Sequence, residues 1–361
     1  MFLNHGAFGA CPRPVFEEYQ RWQRELERQP VEFLARRLDG LIEEAKERLA
    51  AEIGARPENL VFVTNATSGM NVVARSLPLG PAHEVLATNH EYGAVDLLWQ
   101  HVCARTGATY VRSEVGAGPG LVDELWRAVT ERTRLISVSH LTSATAIVFP
   151  VEEICRRARE RGILVAVDGA HAPGQLNLEV EAVGADFYAG NCHKWLCAPK
   201  GAGFLHVPPE HQDAMVPQVV GWNCTPGASF AERFRWPGTH DPAAFLSVPA
   251  AIDFLAEHDW DEVRSRCHDL AEHGRIRLAE LTGVEPLAPD ESWLGQMVTA
   301  ELPELDHEEL KRRLYDEHRI EIPVQRWDGR PVIRASFQGY NDEADLDVLM
   351  ETLRGFQRST A

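Results

Sequence analysis

The chain predicts an α/β fold: a mostly parallel central sheet followed by a smaller C-terminal α/β domain. Three observations carry this. Short uncharged runs such as LVFV (60–63), VLAT (85–88), LISV (135–138) and VAV (165–167) have the composition of strands buried on both faces. Segments with apolar residues at three- and four-residue intervals separate most of them, which is the rhythm of strands joined through crossover helices. At 361 residues and 44% hydrophobic content the chain can bury one large core and a second, smaller one. The expected units are an N-terminal arm at 1–12, a large domain at 13–257 and a small domain at 258–361.

Taken in order, MFLNHGAFGACPRP holds too much Gly, Asn and Pro for a helix and too much apolar surface for a disordered tail, so an ordered arm is expected. Helical patterns follow over 15–28 and 31–53. The strand at 60–63 leads into Thr64-Asn65-Ala66-Thr67-Ser68-Gly69, whose small residues would let backbone N–H groups approach an anion at the start of the next helix. Simple helix capping by the same side chains is compatible with that role. The strand at 85–88 ends in Asn89-His90-Glu91-Tyr92; a helix at 94–107, a strand at 108–111 and a helix at 122–129 continue the alternation. The strand at 135–138 runs into Ser139-His140-Leu141-Thr142-Ser143, and Pro150 starts a helix. Beyond 243 a long helical region is expected to bend near His258-Asp259. Runs at 296–301, 320–323 and 332–336, with a helix at 306–318, complete the small domain.

Composition excludes several functions. A net charge of −18 disfavours nucleic acid and anionic membranes as partners. The seven cysteines form no metal-ligand spacing, so no metal is expected. No signal peptide pattern is present and no apolar run nears the ~18 residues of a membrane span, so a cytoplasmic location is expected.

The chemistry concentrates between residues 165 and 203. Asp168 ends a buried strand, where open α/β sheets place their ligands. His193-Lys194 comes next, then Gly201 and Gly203. The chain has only four lysines: Lys46 and Lys311 sit in amphipathic patterns suited to solvated charges, Lys200 in a turn, and Lys194 alone between apolar strands. Buried Asp and Lys are costly unless something lies between them. An interior ion pair is the plain alternative, though such pairs stabilise weakly. A pyridoxal phosphate ring satisfies both groups: the lysine amine condenses with its aldehyde, and the aspartate keeps its nitrogen protonated, so that the ring acts as an electron sink.

D-G-A-H-A, D-F-Y-x-G-N-x-H-K-W-L and P-x-G-x-G-F-L together resemble the class V aminotransferase-fold family of pyridoxal-phosphate enzymes, and within it the isopenicillin N epimerase group, a neighbour of the cysteine desulfurases. The resemblance spans nearly the whole chain. It implies the aspartate aminotransferase-like fold type I, with pyridoxal 5′-phosphate as cofactor. It implies that Ala66, Thr67, Asn191 and His193 lie on the phosphate and lysine side, with Asp168 on the ring nitrogen and Tyr92 stacked on the ring. Ser143 and His171 fall near the ring hydroxyl, where desulfurases carry Asn and Gln. Arg334, in I-R-A-S, matches the carboxylate clamp, and L-N-H-G-x-F-G places Asn4 and His5 in the site. Thr239, in W-P-G-T-H-D, matches a residue that reaches the phosphate of a neighbouring subunit, which implies a homodimer with shared active sites.

The reaction stays open at this level. No cysteine occurs between 319 and 334, the place of the desulfurase nucleophile, and the nearest upstream is Cys267. Epimerisation needs Lys194 and a second acid or base, with His171, Tyr92 or water as candidates. C–S β-elimination needs Lys194 alone, and transamination is the third outcome. A catalytically inert binding protein is disfavoured because Lys194, Asp168, His193 and Arg334 are all retained. A nicotinamide dehydrogenase is disfavoured because no G-x-G-x-x-G follows an early strand.

Overall fold

The computed structural model describes residues 1–360; Ala361, the last residue of the expected small domain, lies outside the described residues. The central sheet contains β1 (Leu60–Val63), β2 (Glu84–Thr88), β3 (Thr109–Ser113), β4 (Thr133–Ser139), β5 (Leu164–Gly169), β6 (Phe187–Asn191) and β7 (Gly203–His206). Their order is β1-β7-β6-β5-β4-β2-β3. Neighbours from β6 to β3 pair in parallel, while β7 runs antiparallel to both β6 and β1.

Side chains alternate between two apolar layers, as the two-residue period of a strand requires. Ile136, Val138, Val165, Val167 and Tyr188 enter one layer, under helices Leu121–Arg127 and Val151–Glu160. Leu135, Ala166, Phe187, Ala189 and Leu205 enter the other, under Ala66–Ser76 and Gly93–Thr106. Trp99 is fully buried there, with its indole N–H on Ser137 Oγ at 2.8 Å. Burial on both faces is why β5 and β6 carry no charge before their C-terminal ends.

The expected helix at 31–53 is interrupted. A short turn at Pro30–Glu32 passes through one π-type turn, Phe33–Arg37, into Leu38–Glu52. Lys46, expected to be solvated, is buried and pairs with Glu43 at 2.7 Å. Packing turned the amphipathic stripe further inward than its periodicity indicates, and the ion pair offsets the cost.

The helical region beyond 243 breaks where Asp259 adopts a left-handed φ of 48°, between Val248–Glu257 and Trp260–Thr282. A second sheet follows, with β8 (Met297–Glu301), β9 (Val324–Trp327) and β10 (Arg330–Ser336) in the order β8-β10-β9, all antiparallel. Asp328-Gly329 forms the β9–β10 turn with positive φ at both residues, the backbone that a two-residue hairpin favours. The run 320–323, expected as a strand of this sheet, is not one: β9 begins only at Val324. Instead Glu321 pairs with the N-terminal arm: Leu3 N–H donates to its carbonyl at 2.9 Å, and its own N–H donates to the Met1 carbonyl at 3.0 Å. Ser336 N–H, at the end of β10, donates to Leu3 O at 2.9 Å. The arm therefore fills a place that 320–323 cannot, and Pro323 has no N–H with which to extend the ladder backward. No described helix is long and apolar enough to cross a membrane.

The arm reaches the lysine loop at Gly9, whose φ is +71°; a Cβ there would lie 2.1 Å from the His193 carbonyl oxygen. Its backbone lies in a region open essentially to glycine alone. Gly9→Ala is therefore expected to unseat the arm and to cost roughly 1–3 kcal/mol. Denaturant midpoints and hydrogen-exchange protection of the Leu3 N–H, which bonds to Glu321, check this; an unchanged midpoint with unchanged protection would refute the tight seat.

Candidate active site

Parallel pairing brings three polar strand ends together. Ser139 on β4 stands opposite Asp168 on β5, and Gly169 stands opposite Gly190, just before Asn191 on β6. Above these ends lies a cavity of about 200 Å³. Ser139, Asp168 and Asn191 line it, as do His171, His193 and Lys194 from the loops that follow. Tyr92, Thr67 and Ser143 complete the predicted residues on its wall.

Asp168 is buried and Lys194 half-buried with its amine desolvated, yet the two make no ion pair. Asp168 Oδ1 accepts the Ala170 N–H at 2.9 Å. Burial pushes the Asp168 carboxyl up from its ordinary value, against the smaller opposing effects of that bond and of Lys194. The Lys194 amine is pushed down to about 8, first by burial and then by the charge of Arg334, with Asp168 opposing. Its Nζ lies 3.1 Å from His171 Nε2. Burial, then Lys194 and Arg334, hold His171 well below its usual range, so this imidazole is neutral.

The start of helix Ala66–Ser76 forms the second part of the site. Asn65 caps it by accepting the Ser68 N–H at 2.8 Å, and Asn191 Oδ1 accepts the Ala66 N–H at 2.8 Å. That bond fixes the orientation of the Asn191 amide, whose NH2 takes no partner among the described residues. The N–H and hydroxyl of Thr67 are likewise unpartnered among the described residues. Free donors at a helix N-terminus suit an anion.

The other predicted residues lie behind the wall. Arg334 on β10 is buried; Nη1 donates to the carbonyl and the hydroxyl of Ser143, and Nη2 donates to Asn4 Oδ1 at 3.5 Å. Its Nε–H is buried without a partner among the described residues, and desolvation pushes the guanidinium down to about 10. Asn4 donates onward to Glu321 at 2.9 Å. His5 packs against the lysine backbone: Nε2–H donates to the Lys194 carbonyl at 3.0 Å, and Nδ1 accepts from the Tyr340 hydroxyl at 2.9 Å. From the arm, Ala7 and Phe8 reach the cavity instead of Asn4 and His5. Phe8 belongs to the same short motif, but its 74% exposure at the mouth depends on how the arm docks. Ala66 contributes its N–H through Asn191, and Thr239 is exposed and away from this chain's own cavity. Among the described residues no cluster of His, Cys, Asp or Glu is arranged to hold a metal ion.

Acylation of Lys194 in the cofactor-free chain should rise with pH through a midpoint near 8, because only the unprotonated amine reacts. Mass spectrometry after trace labelling at graded pH measures it, and a midpoint near the ordinary lysine value of 10.5 would contradict the burial argument.

The sequence profile of the aminotransferase class-V family matches residues 7–349. Isopenicillin N epimerase of Amycolatopsis lactamdurans is 38% identical over 98% of this chain and 94% of its own length. The Streptomyces clavuligerus enzyme of the same name is 37% identical over 97% and 93%. Among solved structures, the cystine C–S lyase C-DES in complex with its reaction product, cysteine persulfide, superposes with a TM-score of 0.86 at 25% identity, covering 98% of this chain and 97% of that one. A C-DES mutant with glycine covalently linked to its PLP cofactor gives a TM-score of 0.88 at 25% identity over 98% and 96%. With its fold-type-I architecture and a profile match along almost its whole length, the chain belongs to the aminotransferase class-V family.

Proposed function

We propose that this chain is a pyridoxal 5′-phosphate enzyme that acts at the α-carbon of an amino acid or amino-acid conjugate, with epimerase chemistry like that of its isopenicillin N epimerase relatives. The observation that carries the reading is Lys194: a buried amine with a depressed pKa, sharing one cavity with an unpaired Asp168 and the free donors of Thr67 and Asn191. These groups fit the cofactor. Lys194 would hold it covalently, Asp168 would keep a proton on its ring nitrogen, and Thr67, Ala66, Asn191 and His193 would hold its phosphate. Tyr92 offers an aromatic face to the ring, and Ser143 and His171 stand where its hydroxyl is expected. The bound cofactor supplies the electron sink that makes a bond at Cα labile.

Arg334 would hold the substrate carboxylate. Its buried, unpartnered Nε–H supports this, because a guanidinium with unmet hydrogen-bonding capacity gains from a planar carboxylate. Asn4 and His5 support the site from behind, by orienting Arg334 and the Lys194 backbone. Lys194 moves the Cα proton. The second proton carrier of an epimerase would be His171, Tyr92 or a water. C–S β-elimination is the second reading, favoured by the overall match to a C–S lyase, and transamination is the third.

A homodimer suits the surface: Val219, Val220 and Trp222 are exposed in the segment leading to Thr239, and Trp222 is 88% exposed. A large domain at 13–257 and a small domain at 258–361, hinged at the helix break by Asp259, suit the separation of the two sheets. A reducing cytoplasmic setting suits cysteines held as free thiols.

Borohydride reduction of the holoenzyme should leave the cofactor mass on Lys194, and label on Lys200 instead would sink the assignment. Turnover in deuterated water then separates the reactions. Deuterium at Cα with loss of optical activity marks epimerisation. Pyruvate with a released sulfur compound marks β-elimination. A new ketoacid with pyridoxamine phosphate marks transamination. If no amino acid or conjugate exchanges its Cα proton, the proposal fails as a whole. Thr239→Ala should weaken cofactor retention and dimerisation together, read by absorbance and light scattering; a monomer that keeps its full cofactor complement would contradict the shared site.

A further inference from the structure

The residue that follows Lys194 contacts His171, the neighbour of the Lys194 amine. Trp195 is fully buried with Leu141, Ala146 and Met297, and its Nε1–H points at His171 Nδ1, 3.2 Å away. An indole N–H can only donate, so Nδ1 must carry the lone pair. A neutral imidazole has a single N–H, which is therefore on Nε2, the atom 3.1 Å from Lys194 Nζ. We propose that Trp195 is a positioning residue that locks His171 in the Nε2–H tautomer and so makes it a donor toward the Lys194 amine.

The consequence has a definite sign. An ammonium has only donors, and an N–H facing an N–H repels it; a neutral amine accepts the Nε2–H. The locked tautomer therefore disfavours protonated Lys194 and keeps the amine ready to capture the cofactor aldehyde or to take a proton. With the opposite tautomer, Nε2 would accept from the ammonium and stabilise it. A doubly protonated His171 is excluded by the same indole N–H, which would then face a second donor. The other titratable and charged groups around Lys194 are Asp168 from β5, Arg334 from β10, His5 from the arm and His193 beside it, with Tyr92 across the cavity and Lys200 further along the loop. Of these, His5 packs on the Trp195 ring with centroids 4.9 Å apart, and none of them hydrogen-bonds to the indole nitrogen.

This inference rests on Lys194 being the cofactor lysine, and the test separates the two ideas. Full-length protein carrying ¹⁵N in its histidine rings, with His171→Gln to assign the signals, reports the tautomer by long-range proton–nitrogen correlation, with and without pyridoxal phosphate. Wild-type protein should show His171 protonated at Nε2 alone. Protonation at Nδ1, or at both nitrogens, would overturn the proposal. Trp195→Phe keeps an aromatic ring but removes the donor; it should populate the Nδ1–H tautomer and raise the pH midpoint of cofactor capture by about one unit, a roughly tenfold slower capture near neutral pH. A Trp195→Phe variant with an unchanged tautomer and an unchanged midpoint would also overturn it. Should that variant fail to fold, the wild-type spectrum decides alone. Failure of borohydride to label Lys194 would remove the functional reading and leave the tautomer result standing.

Discussion

Everything at this site depends on the desolvation of one amine. Lys194 sits at the end of a loop sealed by buried residues, where its charged form loses water without gaining an ion pair. Asp168 pays the mirror-image penalty on the adjacent strand end. In a structural core the two would close into a contact or be replaced by apolar residues, since buried ion pairs seldom add stability. Here they stay apart, and a cavity of about 200 Å³ lies at the same strand ends. Local instability of this kind is what a site that must bind a charged cofactor and move protons retains.

Holding that arrangement requires support from distant parts of the chain. The N-terminal arm supplies it by bonding to Glu321 and Ser336 of the small unit and, through His5 Nε2–H and Gly9, to the lysine loop. Lys200 closes the circuit by donating to the Gly9 carbonyl at 2.9 Å. Arg334 on β10 and Lys194 after β6 thus share a brace contributed by the first nine residues, and a movement of the small unit would be felt at both. Trp195 adds a second brace from within the loop, acting on the direction of a proton and not on the position of a backbone.

The same geometry explains why the chemistry at Cα is easier to assign than its outcome. The bound cofactor of such a family makes a bond at Cα labile whichever reaction follows. The fate of the resulting carbanion depends on a second proton carrier or a leaving group. His171 Nε2 faces Lys194 itself, which favours His171 as a hydrogen-bond donor on the lysine side. Tyr92 lines the cavity and is half exposed, so it keeps access to solvent protons.

The strands at 60–63, 85–88, 135–138 and 165–167, the placing of Asp168 and Lys194 at one cavity, the small-residue turn at 64–69 and the bend at His258-Asp259 were legible in the sequence, because each is set by local composition: uncharged runs, small residues before a helix, a lone lysine among apolar neighbours. Membership of the class V group was legible for the same reason, since its motifs are short and contiguous. The partner of residues 320–323 was not, because an apolar alternation says which face is buried and nothing about which chain segment pairs with it. Nor was the burial of Lys46, which helix packing decided. The approach of Phe8 in place of His5 and the withdrawal of Arg334 behind Ser143 were equally hidden. Both depend on how the arm docks between Glu321 and Ser336, a contact between residues more than three hundred positions apart. The proton on His171 was likewise decided only in three dimensions, because an imidazole has no preferred tautomer until a neighbour with a single hydrogen-bonding role, here the Trp195 indole, is placed against it.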